Sequence, residues 1–111
     1  MTVSREFTRY IMDLLAPLGH IESRRLFGGV GIKHNDTQFA MIVDNLLYFV
    51  VDDATREKYR AANSKPFSYN SKRGRVVVQR YYQVPHELFE QRRTLLQWAS
   101  ESLDIAVQTR S

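Results

Sequence analysis

Three strand-forming runs separated by short turns constrain the fold of this chain more than any other feature. The runs extend from Arg24 to Lys33, from Gln38 to Val43 and from Leu46 to Val51, and Asn-Asp or Asp-Asn pairs lie between them. β-Branched and aromatic residues favour strands, whereas Asn and Asp favour tight turns. Short hairpin connections join antiparallel neighbours, so the three runs predict an antiparallel meander.

Helical patterns lie on both sides of this meander. Apolar residues recur at three- and four-residue spacing near the N-terminus and predict a helix from about Arg5 to Ala16 or Leu18, with Ser4 as its N-cap. A second, short helix is predicted in DDATREKYRAAN, where Asp52 or Asp53 can cap the start and Asn63 can adopt a left-handed ending.

The second half of the chain predicts another hairpin and a closing helix. Phe67 and Tyr69 alternate after Pro66, the letters SKRG supply a turn, and the run from Arg75 to Val84 is strongly β-forming. Pro85 suits a first helical turn, and a third helix is predicted from about His86 to Leu103. The predicted order is α-β-β-β-α-β-β-α, which is typical of a two-layer α+β domain whose helices cover one face of an antiparallel sheet of about five strands.

The composition agrees with one small domain. With 111 residues, 43% of them hydrophobic, the chain has enough apolar material for a single core over residues 1–111. We expect an ordered core over residues 1–104, with 105–111 either frayed or beginning a linker to an absent C-terminal domain. The chain contains no cysteine, which excludes disulfides and thiolate chemistry and favours the cytoplasm. Charged residues interrupt the N-terminal apolar pattern, which argues against a signal peptide or a membrane helix.

No residue pattern predicts catalysis. The three histidines, His20, His34 and His86, lack helical metal-site spacing, and helix capping, turns and the helix dipole account for the acidic residues that stand out. We therefore predict no catalytic residues, no metal, no cofactor and no small-molecule substrate, and interpret the chain as a protein that is not an enzyme.

A glycine cluster, formed by Gly28, Gly29 and Gly31 after Phe27, has two interpretations. Glycines within a strand-forming run often mark a bulge or a close backbone approach, which would make the cluster a structural motif. The alternative is contact with a ligand, but the cluster matches neither a dinucleotide-binding fingerprint nor a phosphate-binding loop.

Basic residues form the candidate contact surface. The formal net charge is +4, and the candidates are Arg24, Arg25, Lys72, Arg73, Arg75 and Arg80. They have three interpretations: solvated rim charges, contacts with a protein partner, or contacts with nucleic acid helped by nearby tyrosines.

Four segments in order resemble one known family. They are RRLFGGVGI, QFAMIVDNLLYFVVD, the segment from Lys65 to Tyr69, and YYQVPHELFE followed by a closing helix. Together they resemble the N-terminal domain of the TfoX/Sxy competence regulators, over about Arg24 to Leu103.

The resemblance implies a secretion-chaperone-like α+β fold and a role in natural competence. It implies protein–protein contact, as a transcription co-activator with the cyclic-AMP receptor protein, and it supplies no catalytic residues. The resemblance also leads us to expect a homodimer, because secretion-chaperone-like folds commonly form pairs. Two alternatives stay open: a direct nucleic-acid-binding module that uses the basic hairpin, and a stand-alone oligomerising domain of unknown role.

Overall fold

The computed structural model describes residues 4–26 and 28–109, which form three α-helices and a six-stranded antiparallel sheet. The helices are α1 (Arg5–Leu15), α2 (Asp53–Ala61) and α3 (Arg92–Gln108). The strands are β1 (Ile21–Leu26), β2 (Gly29–His34), β3 (Thr37–Val43), β4 (Leu46–Val50), β5 (Pro66–Ser71) and β6 (Gly74–Gln83). Their spatial order is β1-β2-β3-β4-β6-β5, so β1 and β5 are the two edge strands. The α+β class and the antiparallel sheet are as predicted.

The sheet has one strand more than the sequence predicts, because the run from Arg24 to Lys33 is two strands. β1 and β2 form a hairpin whose turn contains Gly28, and Leu26 pairs with Gly29 across it. Gly28 has a φ of +87°, a conformation that suits glycine and reverses the chain. β1 begins at Ile21, so the hairpin also extends further towards the N-terminus than the predicted run.

The next two hairpins are as predicted. Asn35 and Asp36 between β2 and β3, and Asp44 and Asn45 between β3 and β4, all have positive φ. Turns with two consecutive positive φ values match the right-handed twist of the flanking strands, and Asn and Asp tolerate this conformation better than most side chains. Local side-chain chemistry therefore sets these connections.

Two helix starts are also as predicted. The Ser4 hydroxyl accepts a hydrogen bond from the N–H of Phe7 at 3.0 Å and caps α1. Asp52 and Thr55 form a reciprocal capping box at the start of α2: the Asp52 carboxylate accepts from the Thr55 N–H at 2.8 Å, and the Thr55 hydroxyl accepts from the Asp52 N–H at 3.0 Å.

The C-terminal helix differs from its predicted bounds at both ends. Residues His86–Glu90 form a separate 3₁₀ turn, and α3 begins at Arg92 because the backbone of Gln91 (φ −121°, ψ 69°) is not helical. α3 then continues to Gln108, with Ile105 and Ala106 buried. The helix thus extends four residues beyond the expected core boundary at residue 104, because these two side chains pack into the core.

All three helices lie on one face of the sheet. α3 packs on β3 and β4 and contacts α1, and it also meets α2 through Tyr59 and Trp98, whose ring centroids are 4.6 Å apart. The core between the layers is apolar and includes Ile11, Leu15, Ile32, Phe39, Ile42, Leu47, Phe49, Tyr59, Leu95 and Ala99. Within the described ranges, no helix is both long and apolar enough to cross a membrane.

The opposite face of the sheet is curved. Leu26 on β1 and Phe67 on β5 line the same apolar cleft of about 190 Å³, together with Met41 and Val43 on β3. β1 and β5 stand at opposite ends of the strand order, so the sheet must curl to bring these two side chains together.

Candidate interaction surfaces

The predicted basic contacts fall into two groups at opposite edges of the sheet. Arg24 and Arg25 lie on β1, whereas Lys72, Arg73 and Arg75 lie at or beside the β5–β6 turn, with Arg80 further along β6. All six side chains are exposed. The six side chains therefore belong to two separate stretches of the strand order.

The β5–β6 turn is held by its own polar groups. The Ser71 hydroxyl accepts from the Arg73 N–H at 3.2 Å and donates to the Gly74 carbonyl at 2.9 Å, and Gly74 has a φ of +116°. The Arg75 guanidinium donates to the Ser68 hydroxyl at 3.1 Å. Within residues 4–26 and 28–109, the side chains of Lys72 and Arg73 make no ion pair, so the tip presents two exposed cations.

The tyrosines near these cations are placed very differently from one another. Tyr69 is 49% exposed, whereas Tyr82 is in the core and Tyr81 is partly buried with its hydroxyl accepting from the Gln38 amide at 3.1 Å. Stacking on a base requires an accessible ring. Of the three tyrosines, Tyr69 alone offers one, so the aromatic support expected for a nucleic-acid surface is reduced to a single ring.

The glycine cluster lies at the β1–β2 turn and along β2, and Phe27 falls outside the described residues. A Cβ at Gly29 would lie 2.7 Å from the Ile42 carbonyl oxygen, and a Cβ at Gly31 would lie 2.8 Å from a methyl carbon of Leu26. Gly29 and Gly31 thus face neighbouring protein atoms, whereas Gly28 faces open space and has positive φ. The geometry is that of a turn followed by close packing.

A groove between α1 and β1 gathers a basic cluster that the sequence analysis missed. Arg5 and Arg9 on α1 and Arg24 and Arg25 on β1 line a cavity of about 540 Å³, with Thr8, Met12, Ser23 and Val30. Arg5 and Arg9 are four residues apart, so they share one side of the helix. That spacing is visible in the sequence, but the docking of α1 beside β1 is not.

Aromatic side chains form a second feature that crosses elements. Phe7 and Tyr10 on α1 meet Phe89 of the 3₁₀ turn, with ring centroids 6.2–6.4 Å apart, and His86 lies 5.8 Å from Phe89. They line a cleft of about 430 Å³ together with Leu46, which is 38% exposed. Phe7 and Phe89 also pack against the core.

The histidines and carboxylates are dispersed. The rings of His20 and His34 approach to 6.3 Å between centroids, edge to face. Within the described part of the chain, no group of three or more His, Cys, Asp or Glu side chains could hold a metal ion. Asp53 pairs with Arg56 at 2.7 Å, and the hydrogen bond from the Thr55 N–H holds the pKa of Asp52 below its usual range.

Two tyrosine hydroxyls have raised pKa values because of burial. The pKa of Tyr48 rises through burial and, to a smaller extent, through the Asp44 carboxylate. Burial also raises the pKa of Tyr59, and the neighbouring Ser102 hydroxyl opposes that rise. Among the described residues, neither the Tyr59 nor the Ser102 hydroxyl has a partner in good hydrogen-bonding geometry.

Comparison with known proteins identifies the class of domain. The family profile described as the TfoX N-terminal domain matches residues 13–106. Protein Sxy of Escherichia coli (strain K12) is 33% identical over 99 residues, which is 89% of this chain and 47% of Sxy. The chain therefore spans about half the length of this curated relative.

The matched range covers β1 to β6 and α2 entirely, most of α3, only the last three residues of α1, and both groups of basic residues. The molecule is thus a TfoX N-terminal domain. The chain belongs to the TfoX/Sxy family, a family of competence-related regulators.

Proposed function

We propose that this chain is a regulatory, non-catalytic domain of a TfoX/Sxy-type regulator of natural competence. In this proposal it acts in the cytoplasm by protein–protein contact, as a transcription co-activator with a transcription factor of the cyclic-AMP receptor protein type. The observation that carries the proposal is the family match over nearly the whole chain.

The exposed charges support a role in contact. Lys72 and Arg73 lie at an exposed turn, and Arg24 and Arg25 lie on an edge strand. Exposed charges at an interface act mainly on the rate of association and on the choice of partner. Two separate basic groups on one small domain favour contact with an acidic surface of another macromolecule.

A direct nucleic-acid-binding role for the basic hairpin is the second candidate. The unpaired cations at the β5–β6 tip and the exposed ring of Tyr69 favour it. We rank it second because Tyr81 and Tyr82, the other two tyrosines near these cations, are engaged in the sheet or buried.

Salt dependence separates the two candidates. Contacts with phosphates strengthen as the salt concentration falls, because binding releases counterions from the nucleic acid. The regulator should retain the receptor-type transcription factor on a column at physiological salt, and should not bind random duplex DNA even at low ionic strength. DNA binding at low salt without retention of the transcription factor would overturn the first candidate in favour of the second.

The same experiment includes a genetic arm. A strain lacking its own regulator should recover expression of a competence-gene reporter when the regulator containing this domain is supplied. Recovery by a regulator whose domain has been deleted would show that this domain is not needed for the proposed function.

We also propose a homodimer, because β5 leaves a sheet edge open among the described residues. This arrangement would also serve the remaining alternative, a stand-alone oligomerising domain. Sedimentation measures the oligomeric state directly, and a strictly monomeric species at high protein concentration would contradict the dimer.

A further inference from the structure

The groove between α1 and β1 combines an open strand edge with unpaired positive charge. β1 pairs with β2 over all of its residues, from Ile21 opposite His34 to Leu26 opposite Gly29. Its other side faces no strand among the described residues, since β1 stands first in the strand order. An unpaired edge presents backbone N–H and C=O groups that can pair with another extended chain.

The side chains of β1 alternate between the two faces of the sheet. Arg25 pairs with Val30, which packs against the core under the helices, so Arg25 lies on the same face as α1. Arg24 pairs with Gly31 and therefore lies on the opposite face. A strand added beside β1 would place successive side chains alternately towards these two arginines, because the side-chain period of a strand is two.

α1 adds two more cations on its side of the groove. Arg5 and Arg9 line it together with Thr8 and Met12. Glu6 and Asp13 line a neighbouring hollow with Arg5 and Arg9, but no ion pair joins them within the described ranges.

The cations of α2 behave differently. Arg56 pairs with Asp53, Lys58 with Glu101, and Arg60 with Glu57. The arginines of the groove have no such partner among the described residues, so their charge is available to a ligand.

We infer that this groove binds an extended acidic segment of a partner protein, which adds to β1 as a further strand and places its carboxylates against Arg5, Arg9, Arg24 and Arg25. Main-chain hydrogen bonds to the edge would supply affinity, and carboxylates on both faces of the added strand would supply specificity. The inference deepens the proposed function, on which it rests, by naming the chemistry of the partner.

A second copy of this chain satisfies fewer of the groove's charges than an acidic segment does. Antiparallel pairing of β1 with itself over Ile21–Leu26 would place Glu22 of one copy opposite Arg24 or Arg25 of the other, according to the register. One carboxylate per strand leaves Arg5, Arg9 and one arginine of β1 without a partner.

Nucleic acid also fits less well. Phosphates would use the four arginines but would leave the N–H and C=O groups of the β1 edge unpaired. An acidic peptide would pair with the β1 edge and would also neutralise the arginines. Protection of the β1 amides therefore distinguishes a peptide from a nucleic acid.

The test uses the whole chain and a labelled, glutamate-rich peptide as long as β1, whose consecutive glutamates place carboxylates on both faces of an added strand. Binding is followed by fluorescence anisotropy, and hydrogen exchange reports the amides of β1. We expect affinity that weakens with salt, together with slower exchange at alternate residues of β1. A peptide N-methylated at the alternate positions whose N–H groups face β1 should bind more weakly, because it lacks its strand-pairing donors.

Matched charge reversals locate the binding site. Arg24→Glu with Arg25→Glu should weaken binding about tenfold or more, since each attraction becomes a repulsion. The control, Arg92→Glu with Arg93→Glu at the start of α3, makes the same charge change at exposed positions and should alter affinity by about twofold or less. Melting curves check folding, and Arg5→Gln with Arg9→Gln gives a second, independent test on α1.

Three results would overturn the inference. They are equal losses of affinity in the groove and control variants, unchanged exchange at the β1 amides, and displacement of the peptide by a thymidine oligonucleotide that binds more tightly. Failure of this inference is distinguishable from failure of the proposed function. If the chain does not bind the peptide but retains the transcription factor, only the inference about the groove is wrong. If the chain binds the peptide but does not retain the transcription factor, only the partner assigned in the proposed function is wrong.

Discussion

Gly29 lies so close to Ile42 that a Cβ on the glycine would stand 2.7 Å from the Ile42 carbonyl oxygen. The obstacle is backbone in the centre of the sheet, since Val30 next to Gly29 pairs with Ile42. A side chain at residue 29 would therefore have to push β2 away from β3.

We predict that Gly29→Ala lowers the free energy of unfolding by about 2 kcal/mol, because overpacking against fixed atoms costs of this order. Gly28→Ala should cost about 1 kcal/mol, through its positive φ alone, since nothing lies within 4 Å of its Cβ position. Gly31→Ala is the matched control, because its close neighbours are the ends of the Leu26 and Gln38 side chains, which can move. Urea titration measures the free energy of unfolding of all three variants.

Substitution by valine sharpens the comparison. Wild-type stability for both Gly28→Val and Gly29→Val would contradict the structural role of the cluster. It would favour the alternative interpretation, contact with a ligand.

Asp52 makes the start of α2 sensitive to acid. The Thr55 N–H lowers the pKa of this carboxyl in the folded chain, so the unfolded chain binds a proton first as the pH falls. The interaction therefore stabilises the fold above the unfolded-state pKa of about 3.9 and is lost as the pH falls through the lower, folded-state value.

We predict that Asp52→Ala costs about 1 kcal/mol at neutral pH through loss of the cap. Asp52→Asn keeps a side-chain acceptor for Thr55 but cannot ionise. Melting temperatures measured from neutral pH into the acid range should show the wild-type advantage over Asp52→Asn shrinking as the pH falls. An advantage that stays constant down to the most acidic pH would be inconsistent with the lowered pKa.

Local signals were enough to predict the turns and caps but not the way the elements meet. The caps at Ser4 and Asp52 and the turns at Asn35 and Asp44 depend on side chains that bond or strain their own backbone within a few residues. Gly28 also has a local signal, but glycine within a β-forming run is equally compatible with a bulge, so a hairpin was missed.

The remaining differences between the predicted and the observed elements result from tertiary packing. Periodicity predicts a third helix that begins at His86, whereas the non-helical backbone of Gln91 separates Phe89, which packs against Phe7, from α3. Arg5 and Arg9 join Arg24 and Arg25 only because α1 docks beside an edge strand. No spacing in the sequence measures that distance, so the groove was found only in the structure.

The buried hydroxyls of Tyr59 and Ser102 give a third prediction. Each is fully buried, and among the described residues neither has a partner in good hydrogen-bonding geometry. A buried polar group left unsatisfied costs stability. We expect Tyr59→Phe and Ser102→Ala each to leave the free energy of unfolding unchanged or to raise it by up to about 1 kcal/mol.

A double variant tests the reason for this effect. If the two hydroxyls shared a good hydrogen bond, each single substitution would destabilise the domain and the double variant would cost less than their sum. Tyr81→Phe is the control, because its hydroxyl accepts from Gln38 and its loss should cost about 1 kcal/mol. Trp98, 4.6 Å from the Tyr59 ring, provides a fluorescence signal for unfolding.

The last prediction concerns the β5–β6 tip. Replacing Lys72, Arg73 and Arg75 together by serine should change the free energy of unfolding by no more than about 0.5 kcal/mol, since all three are exposed. The one side-chain bond lost, from Arg75 to Ser68, lies at the surface. If the tip contacts a partner, the variant should associate more slowly and with a weaker dependence on salt, because exposed charges act through long-range attraction.

The measurements are a melting curve for the isolated chain and a competence-gene reporter for the regulator containing the same variant. Arg92→Ser with Arg93→Ser serves as a control that removes exposed positive charge elsewhere. Unchanged melting with reporter activity lost only in the tip variant would make the hairpin an interaction site, whereas full activity would assign those charges to solubility alone.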